Sequence, residues 1–330
     1  MTEAGIHLFI GFRGVSLEEE LRYLIREYRP GGIILFKRNI EGRDQLKALV
    51  SNAQALAIEE IKRPLLFAID QEGGAVQRLS PYFNTIPSAK DLAGQGREAV
   101  RRWAAISSAD LLEVGIQINL APVLDIVAED RAHFMGSRSF GSTPATVSDL
   151  GNAWIQTLQA NRISATAKHF PGLGLADLDP HYFTPVIRDE KMGSFMEHMA
   201  PFQSAIKAGV NCVMTSHAVY RAVDNAHPAT LSPEICRRWL RERFGFRGVL
   251  FADDLDMAAI SENYSPEDVV CLGLSCSTDF FLLCQKSESI EPMHRALVDQ
   301  LDKKPALRAL HFDSIRRIRM LTRFHFPDLE

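Results

Sequence analysis

No stretch of this 330-residue chain approaches the roughly 18 consecutive apolar residues that a membrane-spanning helix needs, so a helical membrane protein is excluded. Cysteine is scarce and unpatterned. Cys212, Cys236, Cys271, Cys276 and Cys284 are odd in number and contain no CxxC pair, which argues against a disulfide framework. They read as reduced, mostly buried thiols of a cytoplasmic protein. There is no H-x-H or H-E-x-x-H pattern, and no G-x-G-x-x-G follows the first apolar run. Lys/Arg runs are absent and the formal net charge is -4, so a nucleic-acid surface is not expected. No Gly/Ser linker, low-complexity segment or short repeat divides the chain. The N-terminal "MTEAGIHLFIGF" lacks a basic n-region and a small-residue cleavage site, and it reads as a first core strand rather than a leader.

What is present is an alternation. Short apolar runs occur at 6–12, 31–37, 65–70, 116–123, 164–170, 212–219, 248–254 and 279–284. Amphipathic stretches lie between them, such as "SLEEELRYLIREY", "RDQLKALVSNAQALAIEE" and "PEICRRWLRERF", and "FDSIRRIRMLTRFHF" closes the chain. Continuously apolar strands, each followed by a helix, indicate a parallel sheet buried on both faces. Eight such units predict an α/β fold, a single (β/α)8 TIM-type barrel over 1–330.

In such a barrel the chemistry sits at the C-terminal ends of the strands. Strand three ends at Asp70 and runs into "QEGGAVQR". Strand four leads to Asp125, and its long following loop carries "FMGSRSFG" with Arg138. Strand five ends in Lys168 and His169, strand six near His217, and strand seven in Asp253 and Asp254. After strand five comes "PGLGLADLDPHYF", a glycine- and proline-broken loop that sets Asp179 two positions before His181. Taken singly, each has an ordinary structural reading. Asp254 could cap a helix, Arg138 and Lys168 could form structural ion pairs, and His217 could be a hydrogen-bonded rim histidine. Gly73 and Gly74 could simply make a turn. Gathered at one face they are harder to dismiss, because burying polar groups unpaired is costly.

Three chemistries fit, in this order. Retaining glycoside hydrolysis needs a carboxylate nucleophile and a separate proton donor. Asp253 would attack the anomeric carbon, and His181, supported by Asp179, would protonate the leaving oxygen and then deprotonate water. Schiff-base chemistry at Lys168 is second, although nothing adjacent desolvates that lysine. Metal-assisted hydrolysis through His169, His181, His217 and Asp253 is third and lacks a ligand motif.

The segment "AKHFPGLGLADLDPH" resembles the K-H-F-P-G-H-G-x4-D-S-H signature of glycoside hydrolase family 3, and more narrowly its NagZ-type β-N-acetylglucosaminidases. "GGIILFKRN", "FAIDQEGGAVQR", "NLAPVLDI", "GSRSFG", "VMTSH" and "GFRGVLFADDLDM" match in order and spacing over most of the chain. The resemblance implies a one-domain barrel with Asp253 as nucleophile and Asp179 and His181 as an acid/base dyad. It places Asp70, Arg138, Lys168 and His169 around a terminal N-acetylglucosamine, with Arg78 as a further substrate-site arginine and His217 at the strand-six end. The lid-like loop could then deliver His181 and withdraw it.

Some positions depart from the pattern. Leu173 replaces the histidine of G-H-G, Pro180 the serine of D-S-H, and Ala75 the arginine of G-G-R-V. "LGLSCSTD" at 272–279 also differs from the usual pattern before strand eight. Asp253, Asp179 and His181 are all present, so the resemblance implies an active enzyme. It would be a cytoplasmic, monomeric exo-β-N-acetylhexosaminidase without metal or organic cofactor. Its substrate would be a carbohydrate, the GlcNAc-1,6-anhydroMurNAc peptides of cell-wall recycling. A glycoside phosphorylase and a catalytically weak sugar-binding relative are the alternatives.

Overall fold

The computed structural model describes residues 3–128, 133–176, 184–189 and 191–328. Eight parallel strands build the barrel: β1 (Leu8–Ile10), β2 (Gly32–Leu35), β3 (Leu66–Ile69), β4 (Ile118–Asn119), β5 (Ser164–Phe170), β6 (Cys212–Thr215), β7 (Val249–Phe251) and β8 (Phe281–Leu283). They pair in chain order, and β8 pairs with β1 in register Phe9↔Leu282. A parallel bridge between Phe251 and Phe280 closes the ring between β7 and β8. This bears out the predicted (β/α)8 class.

The helices of the outer layer are α1 (Glu19–Tyr28), α2 (Arg43–Ile61), α3 (Arg97–Glu113), α4 (Pro144–Ala160), α5 (Met192–Lys207), α6 (Glu234–Arg243), α7 (Pro266–Ser275), α8 (Ile290–Lys303) and α9 (Pro305–His325). Local chemistry marks several starts. Thr143 and Ser265 accept hydrogen bonds from the backbone N–H of Thr146 and Asp268, with Pro144 and Pro266 at the first helical position.

Alternate strand residues face two different cores. Phe9, Ile34, Leu66, Ala68, Ile118, Met214, Phe251 and Leu282 pack inside the barrel. Leu8, Ile10, Ile33, Leu35, Phe67 and Ile69 pack outward against the helices. The rings of Phe9, Phe251 and Phe280 meet with centroids 5.0–5.4 Å apart. Ile315, Ile318 and Leu321 of α9 join the interior cluster and close its lower end. Beside them Asp279 is buried, accepting from Arg241 (2.8 Å), Ser314 (2.6 Å) and Arg317 (2.9 Å). The divergent 272–279 segment therefore ends in an ion-pair hub.

Some apolar runs are longer than the strands they contain. Of 116–123, only Ile118–Asn119 is a strand, plus a bridge from Val123 to Lys168. The Asn119 side chain instead exchanges two hydrogen bonds with the Gln71 backbone, and Pro122 has no N–H to donate to a ladder. The run 212–219 breaks after Thr215. Val219–Tyr220 leaves the barrel to pair with Val186–Ile187 and Asp224–Pro228. Ala4–His7 is a 3-10 turn preceding β1, and α6 is wound as a wide π-type helix. All five cysteines are free thiols, four of them buried and Cys271 partly so.

Candidate active site

The C-terminal mouth of the barrel holds a cavity of about 470 Å³. Its walls differ in charge. One wall begins just past β3, where Asp70 and Glu72 lie two positions apart on extended backbone and so point to the same side. The turn that follows uses positive φ at Gly73 and Gly74, where a Cβ would strike Pro87 and Ser88. Ala75, at the position of the family's arginine, is exposed in this turn.

Around these carboxylates runs a chain of alternating charges. Arg78 donates to Asp70 (3.1 Å), and Lys168 donates to Asp70 (2.8 Å) and pairs with Glu72 (2.7 Å). Arg138 then clamps both Glu72 oxygens, each at 2.7 Å. Burial alone would raise both carboxyls, but the cations outweigh it. Lys168, then Arg78, hold Asp70 far below the usual carboxylate range, and Arg138, then Lys168, hold Glu72 at about 2. Burial acts in the opposite sense on Lys168, and there too Asp70 and Glu72 prevail and keep the ammonium charged. A lysine held in this way is a poor amine nucleophile, which disfavours the Schiff-base chemistry.

Asp125 is fully buried behind this wall. It accepts from His169 Nδ1 (2.8 Å), from the His169 N–H (3.3 Å) and from the Leu173 N–H (2.6 Å). These bonds fix the imidazole, whose ring borders the cavity. Despite burial, His169 and these donors keep Asp125 below its ordinary value. Leu173 presents its side chain to the cavity where the family pattern has a histidine, so that part of the wall is apolar together with Phe134, Met135 and Val76.

The opposite wall is the end of β7. Asp253, Asp254 and Asp256 all border the cavity. Asp253 Oδ1 accepts the Asp254 N–H at 2.8 Å. Among the described residues none of these three aspartates pairs with a Lys or Arg, in contrast to Asp70 and Glu72.

Of the residues expected from sequence, Asp70, Arg78, Arg138, Lys168, His169 and Asp253 converge on this cavity. His217 is buried beside it. Its Nδ1 meets Thr230 Oγ1 (2.8 Å) and its Nε2 donates to the Asp254 carbonyl (3.0 Å), so it braces the β7 end. Asp179, Pro180 and His181 lie outside the described residues. Two buried participants went unassigned from sequence. Glu72 was signalled only by its two-residue offset from Asp70, and Asp125 only by its place after strand four. Among the described residues there is no cluster of three or more His, Cys, Asp or Glu arranged for a metal ion, and none of the helices they form is long and apolar enough to cross a membrane.

The glycosyl hydrolase family 3 N-terminal domain matches residues 8–321. A β-hexosaminidase of Tolumonas auensis is 34% identical over 310 residues, covering 92% of this chain and 88% of the relative. One of Vibrio cholerae is 34% identical over 303 residues, covering 91% and 87%. The fold superposes on a family 3 β-N-acetylglucosaminidase from Paenibacillus sp. strain FPU-7 with a TM-score of 0.93 and 32% identity, over 99% of this chain but 63% of that longer one. It also matches a β-N-acetylhexosaminidase from Beutenbergia cavernae, with a TM-score of 0.89, 30% identity and 97% of both chains covered. The charged barrel mouth and these likenesses agree: the chain belongs to glycoside hydrolase family 3 and is a glycoside hydrolase of the β-hexosaminidase kind.

Proposed function

We propose that the chain is a retaining exo-β-N-acetylhexosaminidase that removes a non-reducing terminal N-acetylglucosamine. The observation that carries this reading is the asymmetry of the mouth. A charge-balanced wall of Asp70, Arg78, Lys168, Glu72 and Arg138 faces a carboxylate wall headed by Asp253 that, among the described residues, has no Lys or Arg partner. The first wall supplies the charge-assisted hydrogen bonds that orient sugar hydroxyls. The second supplies a carboxylate that no Lys or Arg of the described residues neutralises.

In the first step an Asp253 oxygen bonds to the anomeric carbon while the glycosidic C–O bond breaks, and the departing oxygen takes a proton from His181. In the second, His181 takes a proton from water as the water oxygen bonds to that carbon. The bond to Asp253 breaks, and the carboxylate is restored. Asp179 orients His181 and stabilises its charged form. A histidine donor adds no second fixed negative charge beside the nucleophile. Neither step calls for a metal or an organic cofactor.

The substrate we assign is a GlcNAc-1,6-anhydroMurNAc peptide, met in the cytoplasm during cell-wall recycling by a monomer in which 1–330 acts as one domain. What supports it is the family likeness. The test is product analysis with purified anhydromuropeptide in phosphate-free buffer and again with phosphate added. Free N-acetylglucosamine is expected, with β-configuration at first formation. Phosphate-dependent release of the sugar 1-phosphate would make the protein a phosphorylase instead, and no turnover even of an aryl N-acetylglucosaminide would make it a sugar-binding relative.

A further inference from the structure

Three carboxylates crowd the β7 wall within four residues, and among the described residues none of them forms an ion pair with a Lys or Arg. Asp254 is the best connected of the three. Its N–H donates to Asp253 Oδ1 (2.8 Å), and its carbonyl accepts from His217 Nε2 (3.0 Å). Its Oδ1 accepts from the Asp256 N–H (3.1 Å) and from the Cys284 N–H past the end of β8 (3.2 Å). Asp256 in turn accepts from the N–H groups of Gln285 and Lys286 (2.8 and 3.0 Å). The segment carrying Asp253 is thus fastened to β6 through His217 and to β8 through two aspartates.

We propose that Asp254 is a positioning residue for Asp253: it locks the nucleophile's carboxylate through its own backbone N–H and ties the segment to the β6 and β8 ends, so that adding a negative charge at Asp254 unfastens the wall and slows glycosylation. This rests on Asp253 being the nucleophile. Carboxylates crowded into one site disfavour one another's ionisation. The ionisable groups facing Asp254 among the described residues are Asp253 and Asp256 on its own segment, the Cys284 thiol of the β8 end, Arg38 from the β2 end, and His217 from the β6 end, which meets the Asp254 backbone carbonyl rather than its carboxylate. Arg38 spends its donors on the Phe12 and Cys284 carbonyls and on Gln285, so it acts on Asp254 only at a distance. Burial first, then Asp256 and Asp253, raise the Asp254 carboxyl to about 7. Below that pH, Asp253 has no charged neighbour at the adjacent residue. Above it, a second negative charge sits on the residue whose backbone holds Asp253, and repulsion works against the 2.8 Å bond. Sugar binding relies on the opposite wall, so the rate constant should change more than the affinity.

The test isolates glycosylation with 5-fluoro-N-acetylglucosaminyl fluoride, whose fluoride leaves with little help from a proton donor, so titration of His181 contributes little. The inactivation rate constant of wild-type enzyme should be level below pH 7 and fall about tenfold per unit above it, following one ionisation. Asp254→Asn keeps the uncharged form at every pH and should abolish that decline while keeping the low-pH rate within a few-fold. Asp254→Ala loses the carboxyl oxygen that accepts the Asp256 and Cys284 N–H groups and should be slower at all pH values, on the order of 10²-fold, with half-saturation little changed. A wild-type profile level through pH 9 overturns the proposal even if neither variant folds, and so does an unchanged decline in Asp254→Asn. Mass spectrometry of the labelled peptide separates the two readings. Label on Asp253 upholds the nucleophile whatever the pH profile, whereas label on Asp254 refutes both.

Discussion

Glu72 holds the Arg138 guanidinium on both carboxylate oxygens at 2.7 Å, across 66 residues of chain. The same carboxylate pairs with Lys168. Glu72→Gln keeps the shape but leaves two buried cations short of an anion. A buried pair broken from one side costs about 3 kcal/mol or more. The variant should melt several degrees lower, with KM for an aryl N-acetylglucosaminide raised about tenfold or more. Thermal melting and steady-state kinetics check both; an unchanged KM would place this wall outside the sugar site.

Asp253→Asn should retain the fold and lose turnover by on the order of 10³-fold or more, because the amide is nearly isosteric but carries no charge to attack with. Circular dichroism and kcat on a natural disaccharide decide it. Near-wild-type turnover would move the nucleophile elsewhere on the β7 wall.

His181→Ala should distinguish leaving groups. A sugar alkoxide needs a proton to depart, whereas a dinitrophenolate does not, so kcat/KM should fall steeply on a natural disaccharide and only modestly on the activated glycoside. Azide should replace the water step and give a β-glycosyl azide, and Asp179→Ala should behave the same way more mildly. An equal loss on every leaving group, with no azide product, would make the Asp-x-His loop a binding lid only.

Acid should weaken the fold through His7. Nδ1 of this buried ring donates to the Asp279 carbonyl (2.9 Å), and its Nε2 meets His311 Nδ1 (2.8 Å). Burial, then His311, push it down to about 4. A histidine that folds neutral contributes its full stability above its unfolded value of 6.5 and loses it as pH falls through about 4. The span corresponds to about 3 kcal/mol. Denaturant unfolding between pH 7 and 4 should show the decline, and His7→Gln should flatten it. An equally steep decline in the variant would assign the acid sensitivity to other groups.

The apolar runs and the amphipathic stretches between them determined the eight strands and most of the helices, because burial on two faces requires continuous apolar sequence. The same order put Asp70, Lys168, His169 and Asp253 at strand ends, and hence at one mouth. Where a run carried Asn119, Pro122 or Thr215, the strand stopped early, since side chains or a missing N–H diverted the ladder. Only the tertiary structure decided the charge state of the site. Glu72, Lys168 and Arg138 are neighbours only after folding, and so are Asp254, His217 and Cys284. Coulomb interactions in a buried cavity depend on distance and desolvation rather than on order along the chain. That is why two sets of carboxylates, Asp70 with Glu72 and Asp253 with Asp254 and Asp256, end as a cation-matched wall on one side of the mouth and a wall without Lys or Arg partners among the described residues on the other.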